Sequence, residues 1–223
     1  MVSAGHVPDF DSFAAACRQL QLKITREQFT RLLSYQILLA DYNTKINLIS
    51  RKDTARILTY HIVDSLAPAH LIPLGSTCAD IGTGAGLPGI PLAIIRPDLK
   101  MYLIESVQKK CRFLEEAKST LNLTNTETIC ARSETLPPLN CDILLSRLTA
   151  DLNRTLRNSA HHLNPNGKLI LYKTSNFPLE LNKNSRLLKK LNLQPLATYQ
   201  VKLPFTNIER HFVILARQPS AEN

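Results

Sequence analysis

The sequence lacks long apolar runs, paired metal-binding residues and an N-terminal targeting pattern. Its longest apolar stretch, residues 87–95, is broken by Pro88 and Pro91 and is too short to span a bilayer. The five cysteines are widely spaced without a CxxC pair, and no two histidines have the HxxxH spacing of a metal site. Residues 1–10 have neither a basic start nor an apolar run. We therefore expect no signal peptide, no membrane span, no disulfide framework and no metal, and we expect core cysteines in a reducing cytoplasm.

Acidic residues are also scarce. The 223 residues include 27 Lys and Arg but only 18 Asp and Glu, which gives a formal net charge of +9. A basic surface favours polyanionic partners, above all nucleic acid, although a solvated basic surface without a partner would have the same composition. The length fits one α/β domain with a small appendage, and the sequence has no internal repeat or low-complexity segment.

Glycine is rare, and its distribution is uneven. Only seven glycines occur in the chain, and four of them fall within eight residues, at Gly82, Gly84, Gly86 and Gly89. Apolar runs flank this cluster, which predicts a strand, a glycine loop and a helix. Glycine lets a ligand approach the backbone closely, and a helix N-terminus offers free N–H groups and a partial positive charge. The cluster therefore predicts a site for a nucleotide-like cofactor.

Periodicity divides the chain into a helical start and an alternating remainder. Residues 10–42 and 57–71 have helical spacing, and Thr25 with Gln28 fits a capping box. The helix after the box should use one face for packing, formed by Phe29, Leu32, Leu33, Gln36, Ile37 and Ala40. We predict a helical extension over residues 1–75, packed on a catalytic domain over residues 76–223.

Strands and helices alternate in the second part. The predicted strands are 77–81, 101–105, 127–131, 142–146, 168–173, 197–203 and 211–216, and the predicted helices are 87–95, 107–121, 151–163 and 179–191. Such alternation predicts a mostly parallel sheet with helices on both faces. The last two strands have no helix between them, so we expect them to form an antiparallel pair at one edge.

Two cofactor classes fit the glycine loop. Gly84 to Gly89 satisfies GxGxxG, which suits a nicotinamide dinucleotide, and Glu105 ends the next strand, where an acid accepts hydrogen bonds from ribose hydroxyls. Three features favour S-adenosylmethionine: the carboxylate of Asp80, which could meet the cationic amino end of that cofactor; residues 131–134, which could border an adenine; and the antiparallel end of the sheet. Asp80 could instead hydrogen-bond the glycine loop.

A known family motif is matched by the segment Asp80-Ile-Gly-Thr-Gly-Ala-Gly-Leu-Pro-Gly-Ile-Pro-Leu-Ala93. This segment closely resembles the glycine motif of the ribosomal RNA small-subunit methyltransferase G family. Further matches follow in the family's order, at Asn43 to Ser50, His61 to Leu66, Glu105 to Leu114, Leu145 to Arg147, Tyr172-Lys173 and Glu209 to His211. The resemblance covers roughly residues 25–217. Three positions depart from the family pattern: Glu105 replaces the usual Asp, Leu148 a small residue and Thr174 a glycine.

The resemblance implies a fold, a cofactor and a reaction. The fold would be the class I S-adenosylmethionine-dependent methyltransferase fold, Rossmann-like, with an N-terminal helical extension. The reaction would transfer a methyl group from S-adenosylmethionine to N7 of a guanine in 16S ribosomal RNA of the small ribosomal subunit, the nucleotide commonly numbered 527. Motif by motif, it implies cofactor contacts from Gly82 and Leu87, from Glu105 at the ribose, from Ser133 and Glu134 near the adenine, and from Arg147 at the mouth. Together with the loop residues Asp80, Gly84 and Gly86, these form the predicted cofactor site.

Guanine N7 carries a lone pair and no proton, so its methylation needs no general base. The sequence accordingly offers no obvious catalytic group, and the candidates are Arg147 and Lys173, at the ends of central strands. They could contact RNA phosphate or the cofactor carboxylate, or they could instead form salt bridges to Asp80 or Asp64. His61 and Asp64, one helical turn apart, should make a structural contact with the catalytic domain.

Further side chains are candidates for contact with RNA. The basic ones are Arg51, Lys52, Lys109, Lys110, Arg112 and Lys173, and Tyr172 or Phe205 could stack on a base unless they belong to the core. Two other function classes stay open from the residues alone, a NAD-dependent oxidoreductase and a non-catalytic RNA- or ribosome-binding protein. We expect a monomer, since no long exposed apolar seam is visible.

Overall fold

A seven-stranded sheet forms the centre of the computed structural model, which describes residues 7–147 and 151–218. The strands are β1 (Thr77–Ile81), β2 (Lys100–Glu105), β3 (Thr126–Cys130), β4 (Cys141–Ser146), β5 (Leu163–Lys173), β6 (Leu193–Lys202) and β7 (Glu209–Arg217). Their order is β3-β2-β1-β4-β5-β7-β6. The first five run parallel, and β7 lies antiparallel between β5 and β6. The predicted mostly parallel sheet with an antiparallel end is therefore confirmed.

The α-helices are α1 (Phe10–Gln19), α2 (Arg26–Lys45), α3 (Val63–Leu66), α4 (Gly89–Ile95), α5 (Gln108–Thr120), α6 (Leu152–Ser159), α7 (Phe177–Lys183) and α8 (Ser185–Lys190). The single helix predicted over 57–71 is wrong in detail. A 3₁₀ turn at Arg51–Arg56 leads into a π-helical segment at Ile57–Ile62, then α3, and then a 3₁₀ turn at Ala69–Leu71. The break follows from Pro68, which has no N–H to continue the helical ladder. The helix predicted over 179–191 is two helices that meet at Asn184.

The start of α2 confirms the predicted capping box. Thr25 Oγ1 accepts from the backbone N–H of Gln28 at 3.1 Å, and the Gln28 side chain accepts from the backbone N–H of Thr25 at 2.9 Å. The predicted packing face of α2 is only partly right. Ile37 is 69% exposed, and the buried residues are Phe29, Leu32, Tyr35, Leu39 and Asn43. The helix is rotated relative to the expected face because Tyr35 packs inward.

Alternate residues of the strands enter two apolar layers, one on each side of the sheet. One layer joins Met101 and Leu103 of β2 to α1, α2, α4 and α5. The other joins Leu144 of β4 and Leu169 of β5 to α6 and α8. Because the N-terminal helices share a continuous core with the sheet, the division of the chain at residues 75 and 76 stays a prediction.

The expectation of no disulfide is wrong for one pair of cysteines. Cys111 and Cys130 are bonded, with their Cα atoms 5.8 Å apart. The fold brings them together because Cys130 lies opposite Glu105 in the pairing of β2 with β3, and α5 begins directly after β2. A spacing of 19 residues conceals this proximity in the sequence. Cys17, Cys78 and Cys141 are free and buried, as expected, and burial raises the pKa of each thiol to about 12.

No helix in the described ranges is both long enough and apolar enough to cross a bilayer.

Candidate active site

The glycine loop turns the chain sharply between β1 and α4. Gly82, Gly84 and Gly86 have φ values of +64°, +59° and +83°, which side-chain-bearing residues rarely adopt. A Cβ atom added at Gly84 would have no neighbour closer than 3.9 Å, so the space beside this residue is open. The backbone N–H groups of Gly86 and Leu87 both donate to the Thr83 carbonyl oxygen, at 3.0 and 3.1 Å. The loop is thus held by its own hydrogen bonds while one side stays free.

Asp80 holds the loop from within. Its Oδ2 accepts from Thr83 Oγ1 at 2.5 Å and from the backbone N–H of Gly89 at 2.8 Å, and the residue is 1% exposed. Burial raises the pKa of this carboxyl to about 6, against the opposing effect of the two hydrogen bonds. Of the two roles considered for Asp80, the structure shows the hydrogen bond to the loop, and its contact with a cofactor stays a prediction.

Glu105 lies at the carboxyl end of β2 and is 6% exposed. Its Oε2 accepts from the backbone N–H of Gly84 at 3.0 Å, and its Oε1 accepts from Ser106 and Val107 at 2.8 Å each. A carboxylate offers about four acceptor positions, so roughly one stays available to a ligand hydroxyl. The carboxylate is therefore fixed in direction by the backbone and tied to the glycine loop.

A cavity of about 320 Å³, here called the glycine-loop cavity, opens at the carboxyl ends of β1, β2 and β3. It brings together several predicted cofactor residues with three from α6. Its lining includes Gly82, Glu105, Ser133, Glu134, Arg154, Thr155 and Asn158. Ser133 is buried and donates to the Asn158 carbonyl oxygen at 2.8 Å. Leu87 is also buried, at 6% exposure. Arg154 and Asn158 had no motif to mark them, because α6 reaches this edge only through the fold.

Tyr35 of α2 was not anticipated as part of the site. It is fully buried, and its hydroxyl donates to the backbone carbonyl of Ala85 in the glycine loop at 2.5 Å. Burial raises the pKa of this phenol well above its usual range. The sequence did contain a signal, since Tyr35 lies three residues after Leu32 and four before Leu39 on the face that is buried. The N-terminal helices therefore support the loop directly.

A second and larger cavity, of about 860 Å³, lies at the carboxyl ends of β4 and β5 and at the start of β7. We call it the polar cavity. Its lining includes Tyr60, Asp64, Arg147, Lys173, Glu180 and Arg210. Leu152 and Asn153 of α6 line the polar cavity, and the next residues of the same helix, Arg154 and Thr155, line the glycine-loop cavity. The two cavities are therefore neighbours along one edge of the sheet.

A buried carboxylate organises the basic groups of the polar cavity. Asp64 is 2% exposed and accepts from Nε and Nη2 of Arg210 at 2.8 and 3.1 Å, and from Nη1 of Arg147 at 3.4 Å. Arg147 also donates to the carbonyl oxygen of His61 at 3.1 Å and lies 3.0 Å from its Nδ1. Burial, followed by the charge of Arg147, lowers the pKa of His61 to about 4. The expected structural contact of His61 and Asp64 with the catalytic domain is confirmed.

Both candidate catalytic cations are ion-paired. The partner of Arg147 is Asp64, one of the two acids considered. Lys173 is 8% exposed and bonded to Glu180 at 2.5 Å, so the expectation of Asp80 or Asp64 is wrong for the lysine. Each still lines the polar cavity, so a ligand there would meet cations that are already fixed in place. Leu148, one of the three departures from the family pattern, lies outside the described residues.

The remaining RNA candidates belong to two separate segments. Arg51 and Lys52 are exposed at the start of the segment that leads into the polar cavity, while Lys109 and Arg112 are exposed and Lys110 is half-buried on α5, directly after Glu105 and Ser106. Tyr172 is a core residue, 4% exposed, and its hydroxyl donates a hydrogen bond to the Ser65 carbonyl oxygen. Phe205 is 47% exposed. Of the two aromatic candidates, only Phe205 presents a ring to solvent.

Metal binding was not expected from the sequence. Over residues 7–147 and 151–218, no group of three or more His, Cys, Asp or Glu side chains is arranged to hold an ion. The absence of a metal from the reaction stays a prediction.

Comparisons with solved structures give the class of the fold. A SAM-dependent methyltransferase from Aquifex aeolicus matches with a TM-score of 0.56 and 17% identity, over 80% of this chain and 98% of that chain. The M. jannaschii protein TYW2, solved in complex with AdoMet, matches with a TM-score of 0.56 and 17% identity, over 70% of this chain and 74% of that chain. The fold is that of the S-adenosylmethionine-dependent methyltransferases, as the resemblance implied.

Comparisons of sequence give the family. The model of the GidB family, described as rRNA small subunit methyltransferase G, matches residues 28–213. Relatives named ribosomal RNA small subunit methyltransferase G include one from Ralstonia nicotianae, 37% identical over 93% of this chain and 94% of its own length. Another, from Methylobacillus flagellatus, is 35% identical over 90% of this chain and 95% of its own length. With the methyltransferase fold and its glycine loop, these matches show that the chain belongs to the rRNA small subunit methyltransferase G family.

Proposed function

We propose that this protein transfers a methyl group from S-adenosylmethionine to N7 of a guanine in 16S ribosomal RNA, at the nucleotide commonly numbered 527. The observation that carries the proposal is the pair of neighbouring cavities at the carboxyl edge of the sheet. One is walled by the glycine loop and Glu105, and the other contains two arginines fixed by a buried carboxylate. Ligands of open α/β sheets bind at this edge.

The residues of the glycine-loop cavity fit the nucleoside part of S-adenosylmethionine. Glu105 would accept from a ribose hydroxyl with the acceptor capacity that its three backbone donors leave. Ser133 and Glu134 would lie at the adenine. The open space beside Gly84 leaves room for the rest of the molecule to run along the loop toward the polar cavity. When bound, the cofactor supplies an electrophilic methyl group on a positively charged sulfur.

The polar cavity would receive the target nucleotide. Asp64 fixes Arg147 and Arg210, and neutral His61 fixes the other side of Arg147. Each guanidinium has five N–H donors, so donors remain for acceptor atoms of the nucleotide, such as phosphate oxygens. These residues act by holding the base against the methyl group, since N7 has no proton to remove. Alignment of this kind can contribute about 7–11 kcal/mol at its limit.

Methylation of small ribosomal subunits tests the proposal. The purified protein is incubated with labelled S-adenosylmethionine and with subunits from cells that lack this modification, and the label is mapped along the 16S RNA. We expect 7-methylguanine at a single position. Label on another base or another atom would contradict the proposed target. If the protein binds the cofactor but the subunits carry no label, the small subunit is not the methyl acceptor.

A matched pair of glycine variants tests the cofactor site. Gly84 and Gly75 both have positive φ, at +59° and +69°, both have room for a Cβ, and both donate their N–H to a carboxylate. Gly84→Val and Gly75→Val therefore introduce comparable backbone strain. We expect Gly84→Val alone to weaken S-adenosylmethionine binding by tenfold or more in calorimetry. Equal losses in both variants would place the cofactor elsewhere.

A further inference from the structure

The hairpin between β6 and β7 carries an aromatic residue in an unfavourable backbone position. Leu203 accepts from the backbone N–H of Thr206 at 3.3 Å, which closes a β-turn with Pro204 and Phe205 at its centre. Phe205 has a φ of +61°. When proline occupies the second position of a turn and the third position has a positive φ, the third residue is usually glycine, because a side chain is strained there. A bulky phenylalanine at this strained position therefore suggests a functional role for its side chain.

The ring of Phe205 is only partly accounted for by packing. It lies nearly parallel to the ring of Phe13 in α1, with centroids 6.4 Å apart, yet the residue remains 47% exposed. Leu203 and Pro204 beside it are buried and fix the base of the turn. The turn therefore presents an aromatic surface to solvent from an anchored position.

The ring faces the same groove as a basic segment. A shallow cavity of about 540 Å³ is lined by Phe205, Asn207 and Ile208 on the hairpin and by Arg56 and Thr59 on the opposite side. The guanidinium of Arg56 lies 4.9 Å above the ring of Tyr60 and is paired with Asp53.

Two further basic residues lie upstream of Arg56 in the 3₁₀ segment Arg51–Arg56. They are the exposed Arg51 and Lys52, and neither has an ion-pair partner among the residues that the structure describes. The groove thus combines an exposed aromatic ring with the guanidinium of Arg56, and the two unpaired cations belong to the same short segment as Arg56.

The groove leads into the polar cavity. Arg56 and Thr59 line the groove, and the next residues of the same segment, Tyr60 and His61, line the polar cavity. A strand of RNA with its target base in the polar cavity would therefore extend its neighbouring nucleotides along this segment toward Phe205.

We propose that Phe205 is a stacking platform for an unpaired rRNA nucleotide next to the target guanine, with the exposed Arg51 and Lys52, upstream of Arg56, contacting phosphates of the same strand. The inference rests on the proposed function, since it takes the polar cavity as the acceptor site. Proteins bind single-stranded RNA by this combination of aromatic rings, which accept any base, and basic side chains along the backbone. The strained turn fits this role, because it directs the ring outward while burying the residues on which the turn rests.

Three variants of the hairpin test the platform. Phe205→Leu keeps an apolar side chain at the same strained position but removes the flat ring, and Phe205→Trp restores a ring. Tyr199→Leu is the control. Tyr199 is 44% exposed on the same hairpin, but it is not among the residues that line the groove or the polar cavity in the described part of the chain. The dissociation constant for unmethylated small ribosomal subunits is measured for each, together with that for S-adenosylmethionine.

We expect Phe205→Leu to bind subunits at least about fivefold more weakly, the lower bound for the loss of one base–aromatic stack. Phe205→Trp and Tyr199→Leu should stay within about threefold of the natural protein, and cofactor affinity should not change. Unchanged subunit affinity in Phe205→Leu, or failure of Phe205→Trp to restore it, would overturn the platform. Methylation of subunits by the natural protein separates these outcomes from failure of the proposed function.

Protein-free 16S RNA distinguishes an RNA contact from a protein contact. The same ratio of affinities between the natural protein and Phe205→Leu is expected with this RNA as with subunits. A loss that appears only with subunits would mean that Phe205 contacts a ribosomal protein, and the stacking proposal would then be wrong.

Discussion

At the scale of the residue, Asp64 is a buried charge held by two cations. It is 2% exposed and shared by two guanidinium groups whose side chains are themselves only 16% and 12% exposed. Moving a carboxylate out of water costs free energy unless charged partners offset that cost. Here Arg147 and Arg210 provide the offset together. The same arrangement gives each arginine a single orientation at the polar cavity, so one buried acid serves both the fold and the site.

Replacing Asp64 with Asn should be strongly destabilising. The change leaves two nearly buried cations without their shared anion, and breaking a buried pair in this way costs about 3–5 kcal/mol. Urea unfolding measures the loss. Asp41→Asn is the control, since Asp41 pairs with Lys45 on the exposed surface of α2 and should cost less than about 1 kcal/mol. Similar losses in both variants would contradict the importance of burial.

His61 should make the stability of the fold depend on pH. Its pKa is lowered to about 4 in the folded state from an ordinary value near 6.5. Between these values the unfolded chain binds a proton that the folded chain does not, so stability from this group is present above pH 6.5 and is lost as the pH falls toward 4. The loss is on the order of 3 kcal/mol.

Comparison with His61→Gln isolates this effect, because Asp80 acts in the opposite direction. The raised pKa of Asp80, about 6, gives stability that is lost as the pH rises through that value, and it does so in both proteins. We therefore measure the difference in free energy of unfolding between the natural protein and His61→Gln from pH 4 to pH 8. The difference should fall with the pH below about 6.5, and a constant difference would contradict the prediction.

At the scale of the element, the glycine loop is not a self-sufficient motif. Hydrogen bonds reach it from three other parts of the chain: from Asp80 at the end of β1, from Glu105 at the end of β2, and from Tyr35 in α2. The first two partners follow from the order of the strands. The third comes from a helix 50 residues earlier in the chain, and it links the N-terminal helices to the glycine loop.

Replacing Tyr35 with Phe should weaken cofactor binding without unfolding the protein. The variant leaves the Ala85 carbonyl without its partner, at a cost of about 1–3 kcal/mol, and loosens the loop. Tyr172→Phe is the matched control, since it also removes a hydrogen bond from a buried tyrosine to a carbonyl, but that carbonyl belongs to Ser65 and not to the glycine loop. Calorimetry with S-adenosylmethionine should show a several-fold loss of affinity for Tyr35→Phe alone. Equal effects in both variants would mean that the hydroxyl of Tyr35 has no special role.

At the scale of the whole molecule, the N-terminal helices and the sheet share one core. Leu32 and Leu39 of α2 belong to the same apolar cluster as Met101 of β2 and Leu114 of α5. Neither part can lose the other without exposing that surface to water, which costs about 25 cal/mol for each Å². The boundary predicted near residue 75 thus divides two kinds of structure that depend on each other.

We expect the whole chain to unfold in a single transition. Hydrogen exchange measured across a urea series should show that α2 and β1 lose protection together, because their cores are common. Far-UV circular dichroism should give the same midpoint. Earlier loss of protection in α2 than in β1 would show that the helical extension is an independent unit.

Much of the architecture was predictable because it depends on local pattern. The strand Thr77–Ile81, the glycine cluster after it and the acid at Glu105 follow from apolar runs and glycine spacing, which constrain each short segment by itself. The capping box at Thr25 is local in the same way. The antiparallel pair at the sheet edge was predictable since two strands without a helix between them have room only for a hairpin.

Other features depend on which segments meet, and only the tertiary structure decided them. The pairing of β2 with β3 places Cys130 beside α5 and so brings it to Cys111, across 19 residues of intervening chain. Tyr35 reaches the glycine loop, α6 contributes Arg154 and Asn158 to the cavity there, and Arg210 joins Arg147 on Asp64. Helical spacing marks Tyr35 as buried, but no periodic signal in either segment says which partner such a residue meets. The sequence by itself therefore determined the alternation of strands and helices and the glycine loop, and its resemblance to a family gave the class of cofactor. The partners of Asp64, Lys173 and Tyr35 were decided by packing between distant parts of the chain.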